Sequence, residues 1–172
     1  MPRTLKTLGA LTALAALAPF AAPARDVQAP LAGTVSATNY TSSGASHGAV
    51  DIDGGTCGTT PVTTAVVGSL AWNVVINTSA TVCYSAMTGP QNVARHTFAD
   101  GYTFRLMQFN KSAQTYDRTC DRCNIGMAGD KGLPHGDIHL ERHKSGTLDT
   151  SWYQGYAVKG EALSLGELIG VL

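Results

Sequence analysis

Gly132-Leu133-Pro134-His135-Gly136-Asp137-Ile138-His139-Leu140-Glu141-Arg142-His143 is the densest run of ligand-type side chains in this sequence, holding three of its five histidines and two carboxylates. Read as a strand after Gly136, its period of two puts Asp137, His139, Glu141 and His143 on one face. Ile138 and Leu140 then point the other way, into a core. A rigid strand displays metal ligands in this manner, and His139 is the first candidate. A plain solvated strand can also carry clustered histidines, so the rest of the chain has to decide between the two.

The flanking sequence is written for strands. Pro61 to Val67 and Trp72 to Ile76 are β-branched runs separated by Gly68-Ser69, and Thr81-Val82-Cys83-Tyr84 follows. Gly101 to Phe109 alternates, with Tyr102, Phe104, Leu106 and Gln108 on one face. No stretch in the middle carries a long helical period, and residues 161 to 172 read as a short helix or a strand pair. The expected fold class is all-β, an antiparallel β-sheet or sandwich core with Gly-rich loops. At 172 residues the chain suits one domain. Residues 1–24 are set aside as a signal peptide, 25–44 read as a flexible lead-in rich in Ala, Pro, Ser, Thr and Gly, and 45–172 form the β domain.

The signal consists of a basic stretch from Pro2 to Lys6, an apolar run from Leu8 to Phe20, and an Ala22-Pro23-Ala24 cleavage site. The apolar run is too short to span a bilayer, and no cysteine stands near the cleavage site to take a lipid anchor. A secreted or periplasmic destination follows, with no membrane anchor after cleavage. Losing Arg3 and Lys6 leaves ten basic residues against twelve acidic ones, a formal charge near −2. That balance argues against nucleic acid as a partner. Four cysteines in an exported chain imply two disulfides, expected as Cys57–Cys83 and Cys120–Cys123.

A second cluster, Ser46-His47-Gly48-Ala49-Val50-Asp51-Ile52-Asp53, places an imidazole and a carboxylate four residues apart among glycines. Glycine disfavours a helix here, but in a loop or bent strand the two side chains can meet on one ion. Imidazole plus carboxylate suits Zn²⁺ when a further nitrogen ligand joins them. Other zinc patterns fit poorly. Cys120-x2-Cys123 with His135 and His139 nearly matches a Cys2His2 finger, but Gly132, Pro134 and Gly136 fall where its helix should be. His139 to His143 has its glutamate one place late for a helical His-Glu-x-x-His motif, and a deaminase has its cysteine pair after the His-x-Glu, not before. No Gly-x-Ser-x-Gly elbow is present.

Taken in order, His47-Gly48-Ala49-Val50-Asp51-Ile52, then Gly58-Thr59-Thr60-Pro61-Val62, Arg95-His96 with Asp100-Gly101-Tyr102, Ile125 to Gly132, and Ile138-His139-Leu140-Glu141 resemble the motif series of the lysostaphin-type (β-lytic) zinc metallopeptidases, which cut peptidoglycan peptides. The resemblance runs over roughly residues 45 to 146. It implies Zn²⁺ held by His47, Asp51 and His139 with a fourth place for water, and a groove over an antiparallel sheet where Gly-containing peptides lie. The implied partner is a peptidoglycan or Gly-rich peptide, met by a monomer. Two positions depart from the family pattern. Gln108 stands where a catalytic histidine is expected, and Asp137 replaces the first histidine of His-x-His. Gln108 then polarises an oxyanion without taking a proton. Asp137 or His135 handles the proton, or Asp137 closes the site as a fourth ligand. The alternative is a catalytically degenerate relative that holds zinc and binds a wall peptide or a partner protein.

Overall fold

The computed structural model describes residues 24–38, 47–68, 70–75, 92–98, 100–111, 117–120, 122–129 and 136–172. The expected signal, the run at Thr81–Tyr84, Cys83 and His135 lie outside them. The described residues contain strands and no helix: β1 (Asp26–Gln28), β2 (Gly33–Ala37), β3 (Val50–Asp53), β4 (Pro61–Thr63), β5 (Leu70–Val75), β6 (Val93–Thr97), β7 (Tyr102–Met107), β8 (Phe109–Lys111), β9 (Asp117–Cys120), β10 (Asn124–Ala128), β11 (Asp137–Lys144), β12 (Thr147–Leu148), β13 (Ala162–Leu163) and β14 (Leu168–Val171). The all-β antiparallel class stands.

The main sheet runs β13-β2-β3-β11-β7-β6-β5-β9, with β12 folded back onto β11. A smaller sheet, β4-β10-β8, and a pair, β1-β14, complete the architecture. β11 sits at the centre because its even-numbered apolar residues have partners on both sides. Ile138 and Leu140 pair with Ile52 and Val50 of β3, and Leu140 also faces Leu106 of β7. All five are fully buried, with Phe104, Ala94 and Val35 continuing the same face. Trp152 covers that face, its ring edge-on to Phe104 at 5.2 Å. Arg142, the buried charged residue among the even-numbered positions of β11, keeps its charge there by donating to Asp149 Oδ2 at 2.8 Å and Ser151 Oγ at 2.7 Å. A buried guanidinium needs such partners, because an unpaired one would be too costly.

Three expectations need correction. The lead-in assigned to residues 25–44 is structured through Thr38: β1 pairs with β14, β2 joins β3 and β13, and Val27, Leu31 and Val35 are core. Its Ala- and Pro-rich composition hid two short strands whose few apolar residues are all buried. Residues 161 to 172 form strands, but β13 and β14 pair with β2 and β1 and not with one another. The alternation of Gly101–Phe109 stops at Met107, for Gln108 has φ 65° and Phe109 takes the buried position. Gln108 therefore does not continue the face of Phe104 and Leu106.

Cys57 and Cys123 are each disulfide-bonded. The expected pairings involve Cys83 and the side chain of Cys120, which are outside the described residues. Of the aromatic residues, Trp152 and Tyr153 are core, Tyr156 is 40% exposed, and Tyr102 stacks under Arg142 at 4.7 Å.

Candidate metal centre

The polar face of the main sheet follows from strand register. His139 lies directly opposite Asp51 on one side and Met107 on the other, and Asp137 opposes Asp53. Cross-strand neighbours on one face have Cβ atoms about 5 Å apart, which is close enough for short polar side chains to touch. His139 Nδ1 lies 2.7 Å from Asp51 Oδ1.

His47 reaches the same point from the loop before β3. The chain turns at Gly48 in the left-handed region, φ 67°, and a Cβ there would overlap Leu148 Cδ2. Only glycine satisfies both the backbone and this close packing. The turn lays His47 over the strands with Nε2 3.1 Å from His139 Nδ1 and 3.4 Å from Asp51 Oδ2. One donor atom from each of His47, Asp51 and His139 falls within 4.8 Å of the others, so the trio can hold a metal ion. Gly48→Ala is expected to keep the β-sheet circular dichroism spectrum while weakening metal binding at least tenfold, read by competition with a chromophoric chelator.

The charges around this point are arranged for a cation. Burial lowers the His47 pKa, and the positive side of His139 adds to it, against the pull of Asp51. A neutral imidazole is the ligating form. Burial also acts to lower His139, but hydrogen bonds and charge from Asp51 and Glu141 overrule it and raise the group to about 9. In the metal-free protein, then, a proton on Nδ1 occupies the position a cation would take. Glu141 supports the ring from behind: its Oε2 is 3.5 Å from His139 Nε2, and its Oε1 is 2.8 Å from His143 Nε2 and 3.1 Å from Arg105 Nη1. Burial opposes ionisation of Glu141, yet the hydrogen bonds from both histidines hold its carboxyl near 2. A carboxylate on the distal nitrogen of a ligating histidine fixes its tautomer and orientation.

Asp137 is buried beside this trio and outside it. Burial, then the charges of Asp51 and Asp53 and a hydrogen bond with Asp53, raise its pKa to about 8. Gln108 is held by its backbone: its carbonyl accepts from Gly129 N at 2.8 Å, and Gly129 O accepts from Asp137 N at 2.7 Å. Among the described residues the buried Gln108 Oε1 has no hydrogen-bond partner. A left-handed conformation costs a non-glycine residue roughly 1–2 kcal/mol. His96 and His143 play other parts, His96 edge-on to Phe98 at 4.2 Å and His143 on Glu141.

No family model matches the chain, and no curated protein matches it. The site therefore rests on its geometry. His47, Asp51 and His139, the set that the motif resemblance implies, come together, and Asp137 lies two positions along β11 from His139. His135 falls outside the described residues. Asp53, Glu141 and Arg105 form the surrounding network, and the only sequence signal for them is strand parity with Asp51 and His139. The finger reading of Cys120 and Cys123 fails because Cys123 is in a disulfide and has no thiolate to give.

Metal-free stability should follow these groups. His139 at about 9 lies above its unfolded value of 6.5, so its contribution is complete below pH 6.5 and lost as pH rises through 9. Asp137 at about 8 lies above its unfolded 3.8, so its share is lost between those values as pH rises. Glu141, lowered to about 2, contributes above pH 4.5 and loses that contribution as pH falls through 2. The metal-free Tm is expected to peak near pH 5 and fall toward pH 9. Saturating zinc should reduce the alkaline fall, because a cation replaces the His139 proton. Equal slopes with and without zinc would contradict this.

Proposed function

We propose that this chain is an exported zinc-dependent hydrolase that cleaves peptide bonds of cell-wall peptidoglycan, in the manner of the lysostaphin-type metallopeptidases its motifs resemble. One observation carries the reading: His47 Nε2, the Asp51 carboxylate and His139 Nδ1 converge while the neighbouring carboxyl of Asp137 stays outside the group. Two nitrogens and one oxygen suit zinc, and three protein ligands leave a fourth position open. A zinc ion held by His47, Asp51 and His139 would supply Lewis acidity to a scissile carbonyl and lower the pKa of a water to about 7.

The protein's own groups perform the rest. His47, Asp51 and His139 fix the reacting centre on the sheet. Asp137, with a pKa already near neutrality, takes the proton of the attacking water and returns it to the leaving amine. Gln108 lends its amide to the carbonyl oxygen as negative charge develops. Glu141 holds the His139 ring in place throughout. Gln108 stands where the resembled pattern carries a histidine, which keeps the degenerate, peptide-binding relative as the second reading.

The test is to incubate the zinc-loaded protein with peptidoglycan of several cross-link types and follow the appearance of new amino groups. Release that stops with a chelator and returns with zinc supports the proposal. One equivalent of zinc with no turnover on any wall type would leave only the binding protein.

A further inference from the structure

The polar face of the main sheet continues beyond the three ligands to a pair of arginines. In register with His139, Met107 and Val93 lie on the next two strands; two residues along, Glu141, Arg105 and Arg95 form the matching row. Arg95 and Arg105 are thus direct cross-strand neighbours on the face that carries His139. Like charges in that relation repel and destabilise a sheet unless an anion lies between them. Glu141 is the carboxylate at hand, but its oxygens already serve His139 and His143 as well as Arg105. Arg95 makes no ion pair among the described residues. Among the described residues the buried Nε of Arg95 and the buried Nε of Arg105 have no acceptor. Buried donors left unmade on two adjacent cations are costly.

One ligand offsets the repulsion: a carboxylate laid across the Nη ends of the two guanidiniums, whose N–H forks suit its two oxygens. Two strand residues cover about 7 Å, and the arginines lie one and two strands, about 5 and 10 Å, to the side of β11, so such a carboxylate sits about two to three peptide residues from a carbonyl placed at His139. We infer that Arg95 and Arg105 form a carboxylate-binding subsite, so that the peptide recognised here carries a free carboxylate two to three residues from the bond at the metal centre. This specificity rests on the peptide-hydrolase reading for its meaning, but it can be measured without turnover.

The probes are N-acetyl-Gly-Gly-Gly as the free acid and as the C-terminal amide, titrated into the zinc-loaded protein and followed by backbone amide NMR. The acid is expected to bind at least about tenfold tighter than the amide, the usual worth of a charge-assisted hydrogen bond. Arg95→Gln should abolish the difference, Arg95→Lys should retain part of it, and zinc stoichiometry should not change in either. Equal binding of acid and amide, binding of neither, or discrimination that survives in Arg95→Gln would overturn the subsite. Discrimination in a protein that hydrolyses no wall preparation would keep the subsite and sink the hydrolase, so the two failures are distinguishable.

Discussion

His139→Ala is expected to abolish zinc retention and peptide hydrolysis together. His139 Nδ1 is the shared vertex of the site, 2.7 Å from Asp51 Oδ1 and 3.1 Å from His47 Nε2. Without it, one imidazole and one carboxylate remain, and zinc affinity should fall by more than about a hundredfold. Asp51 and Glu141 also lose their common hydrogen-bond partner, so the metal-free Tm should fall as well. His143→Ala is the control from the same strand face. It removes a hydrogen bond to Glu141 without touching the ligands, and should lower zinc affinity about tenfold at most. Metal analysis after dialysis separates the two variants, and unchanged zinc in His139→Ala would contradict the assignment.

The second large effect is expected from Asp137→Asn. The amide keeps the size of the carboxyl but cannot accept a proton. If Asp137 is the base, kcat drops by about 10²–10⁴ while zinc remains bound. In the parent, kcat/KM should rise with pH as Asp137 ionises. That limb lies below the metal-free value of about 8, because a nearby cation favours the carboxylate. The limb should vanish in Asp137→Asn. Were Asp137 a fourth ligand, the substitution would lower zinc affinity and leave no such kinetic signature.

The parity of β11 was readable from its sequence because period-two alternation is a local property. Placing Ile138 and Leu140 on the core face put Asp137, His139, Glu141 and His143 together on the opposite one, where Asp137 is buried and the other three are half-buried. The meeting of His139 with Asp51 was not readable in that way, since sequence spacing does not reveal which strand lies beside which. The ordered motif series supplied that pairing as an expectation, and the β3–β11 register is compatible with it. Other features depend on tertiary contacts that no local pattern reports. Val27 and Val35 lie in a segment whose composition resembles a linker, yet both are fully buried. Gln108 looked like the next step of an alternating strand until its backbone turned left-handed against Gly129. The cross-strand placement of Arg95 and Arg105 likewise appears only once β6 and β7 are paired.

The most direct measurement is X-ray absorption at the zinc edge on the protein purified with its metal. The expected result is about one zinc per chain, two imidazole nitrogens and oxygen donors at about 2.0–2.2 Å, and no sulfur. A sulfur shell near 2.3 Å, a single imidazole, or no zinc retained at all would contradict it.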